Sequence, residues 1–335
     1  MAKAPTVEDV ARAAGVSRQT VSNVLNAPEI VRPATRERVQ RAIADLGYRP
    51  HAAARQLRTR RSSTIGIRLN PYAGGISGTV LDRFVHALTE HADARGMRVQ
   101  LYAAREAQQE IERMRDLLDG GEIDAVVVTG TFRDDPRTTW LARRGTPFVS
   151  FGRPWGADDL DDPAHLWVDV DGAAGTRQAT HWALAHAGPD VAFLGWPEGS
   201  GTGDDRERGW REAMPAGRAP VRLTAEESVA EARRAVAEAL AAGMTLDALV
   251  CASDALAIGA HLAATAAGRP DLPLVGFDNT PTAEALEISS VEQLPEAVAA
   301  GALELLMGPT GSVVTSRVAE PGAAHVLVEP RLIVR

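Results

Sequence analysis

Four polar side chains with hydrogen-bonding groups suited to reading DNA bases stand close together near the start of the chain: Arg18, Gln19, Ser22 and Asn23. Their spacing places them on one face of a helix. An arginine matches the two acceptors of guanine, and glutamine or asparagine matches adenine. These residues therefore indicate a base-reading helix. The alternative is an ordinary amphipathic helix whose polar face is solvated.

Three short helices are predicted to position these side chains. Thr6 and Asp9 form a capping box that starts the first helix, and Gly15 suits the left-handed conformation that ends it. Ser17 caps the second helix, whose buried face is predicted to be Val21, Val24 and Leu25. The third helix is expected between Pro33 and Gly47, with an apolar face of Val39, Ala42, Ile43 and Leu46. This order and the short turn at Gly15 are typical of a helix-turn-helix.

The charge distribution supports a nucleic-acid partner for this segment alone. Residues 1–61 carry 12 basic and 5 acidic side chains, whereas residues 62–335 carry 24 basic and 39 acidic ones. The first segment therefore has a net charge of +7 and the rest a net charge of −15. A polyanion attracts the first and repels the second. We infer a DNA-binding head on an acidic body.

Several functional classes lack the residues they require. Lys3 is the only lysine, which excludes a phosphate-binding P-loop and Schiff-base chemistry. The histidines show no metal-ligand spacing, and Cys251, the only cysteine, is read as a core residue and fits a reducing compartment. We therefore expect no catalytic residues, metal or cofactor. No apolar run spans a membrane and no secretory leader is recognised, so a cytoplasmic, nucleoid-associated protein is expected.

From Thr64 onward, short apolar runs alternate with helical stretches, and the alternation begins again at Leu166. This predicts two lobes with parallel sheets flanked by helices, which bind ligands at the carboxyl ends of their strands. Trp155 and Trp196 fall in loops after strands and suit stacking on a sugar, with core packing as the alternative. The glycine-rich loop at 199–203 has the wrong spacing for a dinucleotide site. The acidic run at 158–162 is read as a solvated loop, with a cation site as the alternative.

The chain resembles the lactose/galactose repressor (LacI/GalR) family of bacterial transcription regulators. The resemblance is carried by TVEDVARAAGVSRQTVSNVLN, TRERVQRAIADLGYRP and AARQL, and it extends through the two-lobed body to EPRLIVR. It implies an α/β fold with an all-α helix-turn-helix head and a body like periplasmic binding proteins. The expected divisions are a head at 1–49, a hinge helix and linker at 50–63, and an effector-binding and dimerisation core at 64–335. Within the core, the N-lobe is expected at about 64–162 and 292–316, and the C-lobe at about 163–290 and 318–335.

For DNA, the resemblance implies three groups of residues. Arg18, Gln19 and Asn23 take base-reading positions, and phosphate-positioning roles fall to Thr6, Ser17, Thr20, Asn26 and Thr35. Ala54 and Leu57 take the hinge-helix positions, where the leucine wedges into the minor groove. The alternative is a plain linker helix with Leu57 packed on the body. His51 stands where the family more often has asparagine.

For the effector, the resemblance implies a further set of residues: Asn70, Tyr72, Arg206, Ser253, Asp254, Asp278 and Gln293. An arginine and a carboxylate facing vicinal hydroxyls make paired, charge-assisted hydrogen bonds. Three have structural alternatives: Asp278 as a turn-former, Asp254 as a helix N-cap and Arg206 as a solvated side chain. Ser253 departs from the asparagine that is common in the family.

The function implied is a homodimeric, sequence-specific regulator that binds double-stranded operator DNA. It would repress carbohydrate-utilisation genes and leave a palindromic operator when a sugar or small oligosaccharide binds between the lobes. The alternatives are a regulator that depends on a purine or nucleotide co-repressor, and a transport-type sugar-binding protein. The basic head argues against the transport class, and the lack of a catalytic set argues against a sugar-processing enzyme.

Overall fold

A computed structural model of the chain describes residues 5–48, 62–69, 78–156, 162, 165–217, 220–308 and 325–335, without the side chain of Asn26. The chain divides into two compact units, Met1–Ser62 and Ser63–Arg335. Among the described helices, none has the length and apolar character needed to span a membrane.

The first unit is a bundle of three helices: α1 (Val7–Ala14), α2 (Arg18–Asn26) and α3 (Pro33–Leu46), with a 3₁₀ turn at Pro28–Ile30. The predicted capping box is present, since the Asp9 carboxylate accepts from the Thr6 amide at 2.9 Å and the Thr6 hydroxyl accepts from the Asp9 amide. Gly15 has φ +62°, the left-handed conformation expected of it. Val10, Val21 and Val39 meet in the core and have no exposed surface.

Two leucines predicted to be buried are not. Leu25 and Leu46 are 37% and 39% exposed, because the three-helix core closes over valine and alanine and leaves the outer edge of each helix open. The helical spacing correctly identified the apolar stripe, but the stripe is wider than the surface that the neighbouring helices cover.

The second unit contains two six-stranded sheets with the same internal order. The first runs β2-β1-β3-β4-β5-β11. Its strands are β1 (Thr64–Leu69), β2 (Arg98–Ala103), β3 (Ala125–Thr129), β4 (Phe148–Phe151), β5 (Leu166–Val170) and β11 (His325–Val328). The second runs β7-β6-β8-β9-β10-β12. Its strands are β6 (Val191–Gly195), β7 (Arg222–Thr224), β8 (Ala248–Cys251), β9 (Leu274–Phe277), β10 (Ser289–Glu292) and β12 (Arg331–Ile333).

Nine described helices of the second unit surround these sheets. They are α4 (Thr79–Asp93), α5 (Ala107–Asp119), α6 (Pro136–Arg144), α7 (Gly172–His186), α8 (Thr202–Ala213), α9 (Val229–Ala241), α10 (Asp254–Ala266), α11 (Pro281–Ala285) and α12 (Pro295–Met307). Helices α4 and α12 pack on the first sheet, whereas α7 packs with α8, and α9 with α10, on the second. The predicted alternation of strands and helices is confirmed, and every described strand pair is parallel except β10–β12.

The predicted lobe boundaries need correction at two strands. The apolar run at Leu166 was read as the first strand of the C-lobe, but β5 pairs in parallel with β4 of the first sheet. Likewise β11, placed in the C-lobe, pairs with β5. The chain therefore crosses between the sheets after β5, after β10 and again between β11 and β12. The point where the strand–helix pattern begins again does not show where the chain crosses to the second sheet, because the sheet that a strand joins depends on its pairing partners.

Candidate DNA-reading face and ligand cavity

The outward face of α2 carries the predicted base-reading residues, and they are held by one another or by α1. The exposed Arg18 guanidinium pairs with Glu8 of α1 at 3.0 Å. The Gln19 side-chain amide donates to Asn23 Oδ1 at 3.0 Å, one turn further along α2. Ser22 is half-buried on the same helix. Exposed pairs of this kind contribute little to stability. Exchanging Glu8 and Asn23 for base edges as hydrogen-bond partners would therefore cost little free energy.

Four of the five predicted phosphate-positioning residues lie at or near helix starts, where the Thr6 and Ser17 hydroxyls cap backbone amides, whereas Asn26 is the last residue of α2. Ser17 accepts from the Thr20 amide at 3.1 Å, and the two hydroxyls are 2.9 Å apart. The Thr6 hydroxyl donates to Asp9 at 2.7 Å. Thr35 lies in the first turn of α3. The side chain of Asn26, together with Ala54 and Leu57, is outside the described residues, so those predictions stay predictions.

A cavity of about 220 Å³ opens between the carboxyl ends of the two sheets, the place where parallel sheets are expected to bind ligands. The first-sheet side contributes Thr129, Thr131, Phe151, Trp155 and Asp169, with Val80 and Leu81 of α4. The second-sheet side contributes Thr202, Asp205 and Arg206 of α8, together with Gln293 after β10. Of the predicted effector residues, Trp155, Arg206 and Gln293 therefore line one cavity.

Arg206 is buried in the wall of this cavity against an aromatic ring. Its guanidinium carbon lies 3.7 Å from the centre of the Phe277 ring, and Nη1 donates to the Ala252 carbonyl at 2.5 Å. The same Nη1 is 3.7 Å from Asp278 Oδ1. Burial lowers the pKa of Arg206, and the Asp278 carboxylate opposes that shift. The solvated position considered for Arg206 is therefore wrong.

Asp278 lies behind Arg206 and Gln293. Gln293 Nε2 donates to Asp278 Oδ1 at 2.5 Å. Burial raises the pKa of Asp278 to about 8, although the nearby Arg206 acts in the opposite direction. Asp278 also has φ +112°, which is unusual for a residue with a side chain and is found where a site demands a particular orientation. The carboxyl group is therefore poised between its acid and carboxylate forms near neutral pH.

Replacing Asp278 by asparagine is expected to remove a pH dependence of stability. Between the ordinary aspartate pKa and about 8, the folded protein holds a proton that the unfolded chain has released. This group's contribution to the free energy of unfolding therefore falls as pH rises, by up to about 1.4 kcal/mol per pH unit. Urea unfolding at pH 5.5 and 8.0 should show Asp278→Asn gaining stability relative to the parent protein at the higher pH. If the difference in unfolding free energy between the two proteins were the same at both pH values, the pKa of Asp278 would not be raised.

Three buried polar atoms of the cavity residues have no hydrogen-bond partner within the described part of the chain: Arg206 Nε, Trp155 Nε1 and Thr129 Oγ1. An unpaired buried donor costs about 1–3 kcal/mol, so such atoms are normally satisfied. Because these three atoms are buried within the wall, the groups that a ligand meets are the exposed parts of the lining side chains. They combine the rings of Phe151 and Trp155 with polar groups, namely Thr131, Asp169, Asp205 and Gln293. The residues that line the cavity thus match a polyhydroxylated compound.

The other predicted effector residues lie behind the cavity or outside the described residues. The Arg206 guanidinium carbon lies 5.4 Å from the ring centre of Trp196, whose indole N–H donates to the Glu227 carboxylate. Ser253 also donates to Glu227, at 2.8 Å, and it is Ser253, not Asp254 as considered, that caps α10. Asp254 accepts from the Thr280 amide and the Ser290 hydroxyl, both at 2.6 Å, and so joins the turn after β9 to β10. Asn70 and Tyr72 are not among the described residues.

Three charged residues of the site were not predicted: Arg153, Asp169 and Asp205. Arg153 Nε lies 2.6 Å from Asp169, and its Nη2 lies 3.4 Å from Asp205 of α8, so it bridges the two sides of the cavity. Burial raises the pKa of Asp169, and Arg153 acts against that shift. Arg153 follows β4 and Asp169 lies near the end of β5, so attention to every strand end would have found both, whereas Asp205 lies in the first turn of α8. The Arg153–Asp205 contact joins residues that no local pattern connects.

Comparison with known proteins finds a family match for the helical head and for the body. Residues 6–51 match the family model for bacterial regulatory proteins of the lacI family. Residues 79–298 match the model for periplasmic binding proteins and the sugar binding domain of the LacI family.

Among individual proteins, the transcriptional regulator CelR of Thermobifida fusca is 33% identical, covering 99% of this chain and 97% of that protein. The ribose operon repressor of Halalkalibacterium halodurans is 30% identical over 86% of this chain and 85% of its own length. A solved CelR–cellobiose complex is 31% identical with a TM-score of 0.70, covering 99% of both chains. The lac repressor dimer bound to operator has a TM-score of 0.78, covers 99% of this chain and 98% of its own, and at 23% identity shares the fold alone.

Proposed function

The chain belongs to the lacI family of bacterial regulatory proteins, and we propose that it represses carbohydrate-utilisation genes until a sugar binds in the cavity between its two sheets. The family is one of DNA-binding transcription regulators rather than enzymes. The observation that carries the proposal is the lining of that cavity, in which the rings of Phe151 and Trp155 stand beside the polar side chains of Asp169, Asp205, Arg206 and Gln293. The complex of CelR with cellobiose supports a sugar as the ligand class.

The DNA-bound state we propose is a homodimer on a near-palindromic operator in the cytoplasm. Each α2 would enter a major groove, since base edges accept the hydrogen bonds that Arg18 and Gln19 now make to Glu8 and Asn23. Ala54 and Leu57 would contact the minor groove between the two half-sites. The two-fold symmetry of the protein would match that of the operator.

The sugar would act by favouring one arrangement of the two sheets. The cavity walls come from both sheets, and Arg153 and Asp205 join the two sides within ion-pair distance. A ligand that contacts both walls binds one arrangement more tightly than another, which is the condition for shifting an equilibrium. A coupling of about 1–3 kcal/mol between sugar and DNA is typical of such regulators. No metal or cofactor is needed for this scheme.

Replacing Arg18 by alanine is expected to weaken operator binding by about 1–3 kcal/mol and to relax the preference at one base pair. The matched control is Arg12→Ala, which removes the same charge from α1, where Arg12 pairs with Asp9 at 3.3 Å on an exposed surface. Binding of both variants to operator DNA and to operators changed at single positions would be measured by gel shift. If Arg18→Ala lost affinity equally for all sequences, Arg18 would contact phosphate rather than a base.

The sugar-binding part of the proposal is tested by isothermal titration calorimetry of the intact protein. The expected result is saturable, one-to-one binding of at least one sugar from a panel of mono- and disaccharides. If no sugar binds but a purine or nucleotide does, the cavity serves a co-repressor and the proposed sugar effector is wrong.

A further inference from the structure

A second cavity of about 270 Å³ adjoins the first, and Trp155 and Asp205 line both. We propose that this outer cavity is a second sugar subsite, so that the effector is a disaccharide or a longer oligosaccharide rather than a single sugar. This inference rests on the proposed sugar effector. Each cavity alone is smaller than the roughly 300 Å³ at which small-molecule pockets begin, whereas the two together lie within the usual range. The inner cavity takes one ring and the outer cavity takes the next.

Trp155 forms the boundary between the two subsites, and its position is constrained. A Cβ atom added to Gly201 would lie 2.6 Å from Trp155 Cδ2, so the glycine allows the backbone to meet the indole directly. Gly201 also has φ +64°, a conformation that side chains rarely adopt. The Arg153 guanidinium lies 5.1 Å from the ring centre of Trp155. An indole fixed at the junction offers its apolar surface to sugar rings bound next to it.

All but one of the charged side chains that line the outer cavity already have hydrogen-bond partners. Asp204 accepts from the Gly199 amide at 3.1 Å and from the Gly201 amide at 3.4 Å. Arg208 Nη2 lies 2.5 Å from Asp205 Oδ1. Arg133, in the loop between β3 and α6, lines the cavity, is exposed and makes no hydrogen bond or ion pair with any described residue.

This arrangement favours a neutral occupant. A guanidinium without a partner offers several donors to vicinal hydroxyls of a neutral ring. A strongly anionic group would instead meet the nearby carboxylates of Asp204 and Asp205. The outer subsite therefore binds a neutral glycosyl unit through Arg133 and Trp155, and the inner subsite binds its partner ring beside Arg206.

The test compares binding of single and linked sugars to the intact protein and to Arg133→Ala. The probes are glucose, galactose and four disaccharides built from them, namely cellobiose, maltose, lactose and melibiose, measured by calorimetry. The parent protein should bind one disaccharide at least about tenfold more tightly than either monosaccharide. Arg133→Ala should lose about tenfold in affinity for that disaccharide, because one charged hydrogen-bond donor is removed. Its affinity for the monosaccharide should be unchanged.

Arg143→Ala is the matched control, since Arg143 is exposed at the end of α6 and lines neither cavity. It should behave like the parent protein. The inference is overturned if Arg133→Ala binds the disaccharide normally, or if a monosaccharide binds the parent protein as tightly as any disaccharide. Tighter binding of glucose 6-phosphate than of every neutral sugar would show an anion subsite instead. If the parent protein binds no sugar, the proposed function fails, which is a distinct outcome.

Discussion

Replacing Arg206 by alanine should abolish the response to sugar while leaving operator binding intact. Arg206 is buried, lies on the ring of Phe277 and lines the cavity. Loss of its charge-assisted hydrogen bonds should weaken sugar binding by about 100-fold or more, equivalent to roughly 3 kcal/mol. Calorimetry measures the affinity for sugar, and gel shift measures the affinity for operator without sugar.

Arg211→Ala is the control for this variant. Arg211 lies on the same helix, α8, where it is half-exposed and pairs with Glu207 at 2.6 Å without lining the cavity. It removes the same charge and should leave sugar binding unchanged. If Arg206→Ala also failed to bind operator, Arg206 would be a structural residue rather than a sugar ligand. The same would follow if its unfolding temperature were well below that of Arg211→Ala.

Replacing Gly209 by alanine should strongly destabilise the body, because the added methyl group has no room. A Cβ atom at Gly209 would lie 2.0 Å from the carbonyl oxygen of Ala173 and 2.6 Å from its Cα, so α7 and α8 would have to separate. Overpacking of this kind typically lowers the free energy of unfolding by about 1–3 kcal/mol. Because the opposing atoms belong to the backbone of Ala173, which cannot move aside alone, we expect a loss of about 3 kcal/mol. Because α8 carries Asp205 and Arg206, sugar affinity should fall as well. Urea unfolding and calorimetry measure the two effects.

Gly301→Ala is the matched control, since Gly301 is also buried within a helix but a Cβ there would meet its nearest neighbours at 3.6 Å, an ordinary contact. Alanine is the better helix former, so this variant should be neutral or more stable by about 0.5–1 kcal/mol. Equal stability of the two variants would mean that α7 and α8 are not in close contact at Gly209.

Local patterns in the sequence predicted the elements of this fold well. The capping box at Thr6, the turn at Gly15 and the apolar runs of β3, β8 and β9 depend on residues near one another in the chain, and each is present. The sheet to which β5 and β11 belong was predicted wrongly. β11 pairs with β5 across two crossings of the chain, and the apolar pattern of β5 does not show that it pairs with β4 rather than with a later strand.

The ligand cavity was predicted only in part, for a related reason. Arg206, Gln293 and Trp155 were identified, because each follows a strand or matches a family motif. Arg153 and Asp205 were not identified, because their roles come from a contact between the two sides of the cavity. Asp254 was expected to face the ligand, yet the Thr280 amide and the Ser290 hydroxyl bind its carboxylate. Sequence reasoning found residues at the correct edge of the sheet, whereas tertiary packing determines which of them reach the ligand.

The most direct test of the central claim is fluorescence anisotropy of labelled DNA from upstream of the protein's own gene, with increasing concentrations of each sugar. The account predicts tight, salt-sensitive binding that one sugar weakens by about 5- to 150-fold in the parent protein and not in Arg206→Ala. DNA binding that no sugar changes, or that the same sugar changes equally in Arg206→Ala, would contradict it.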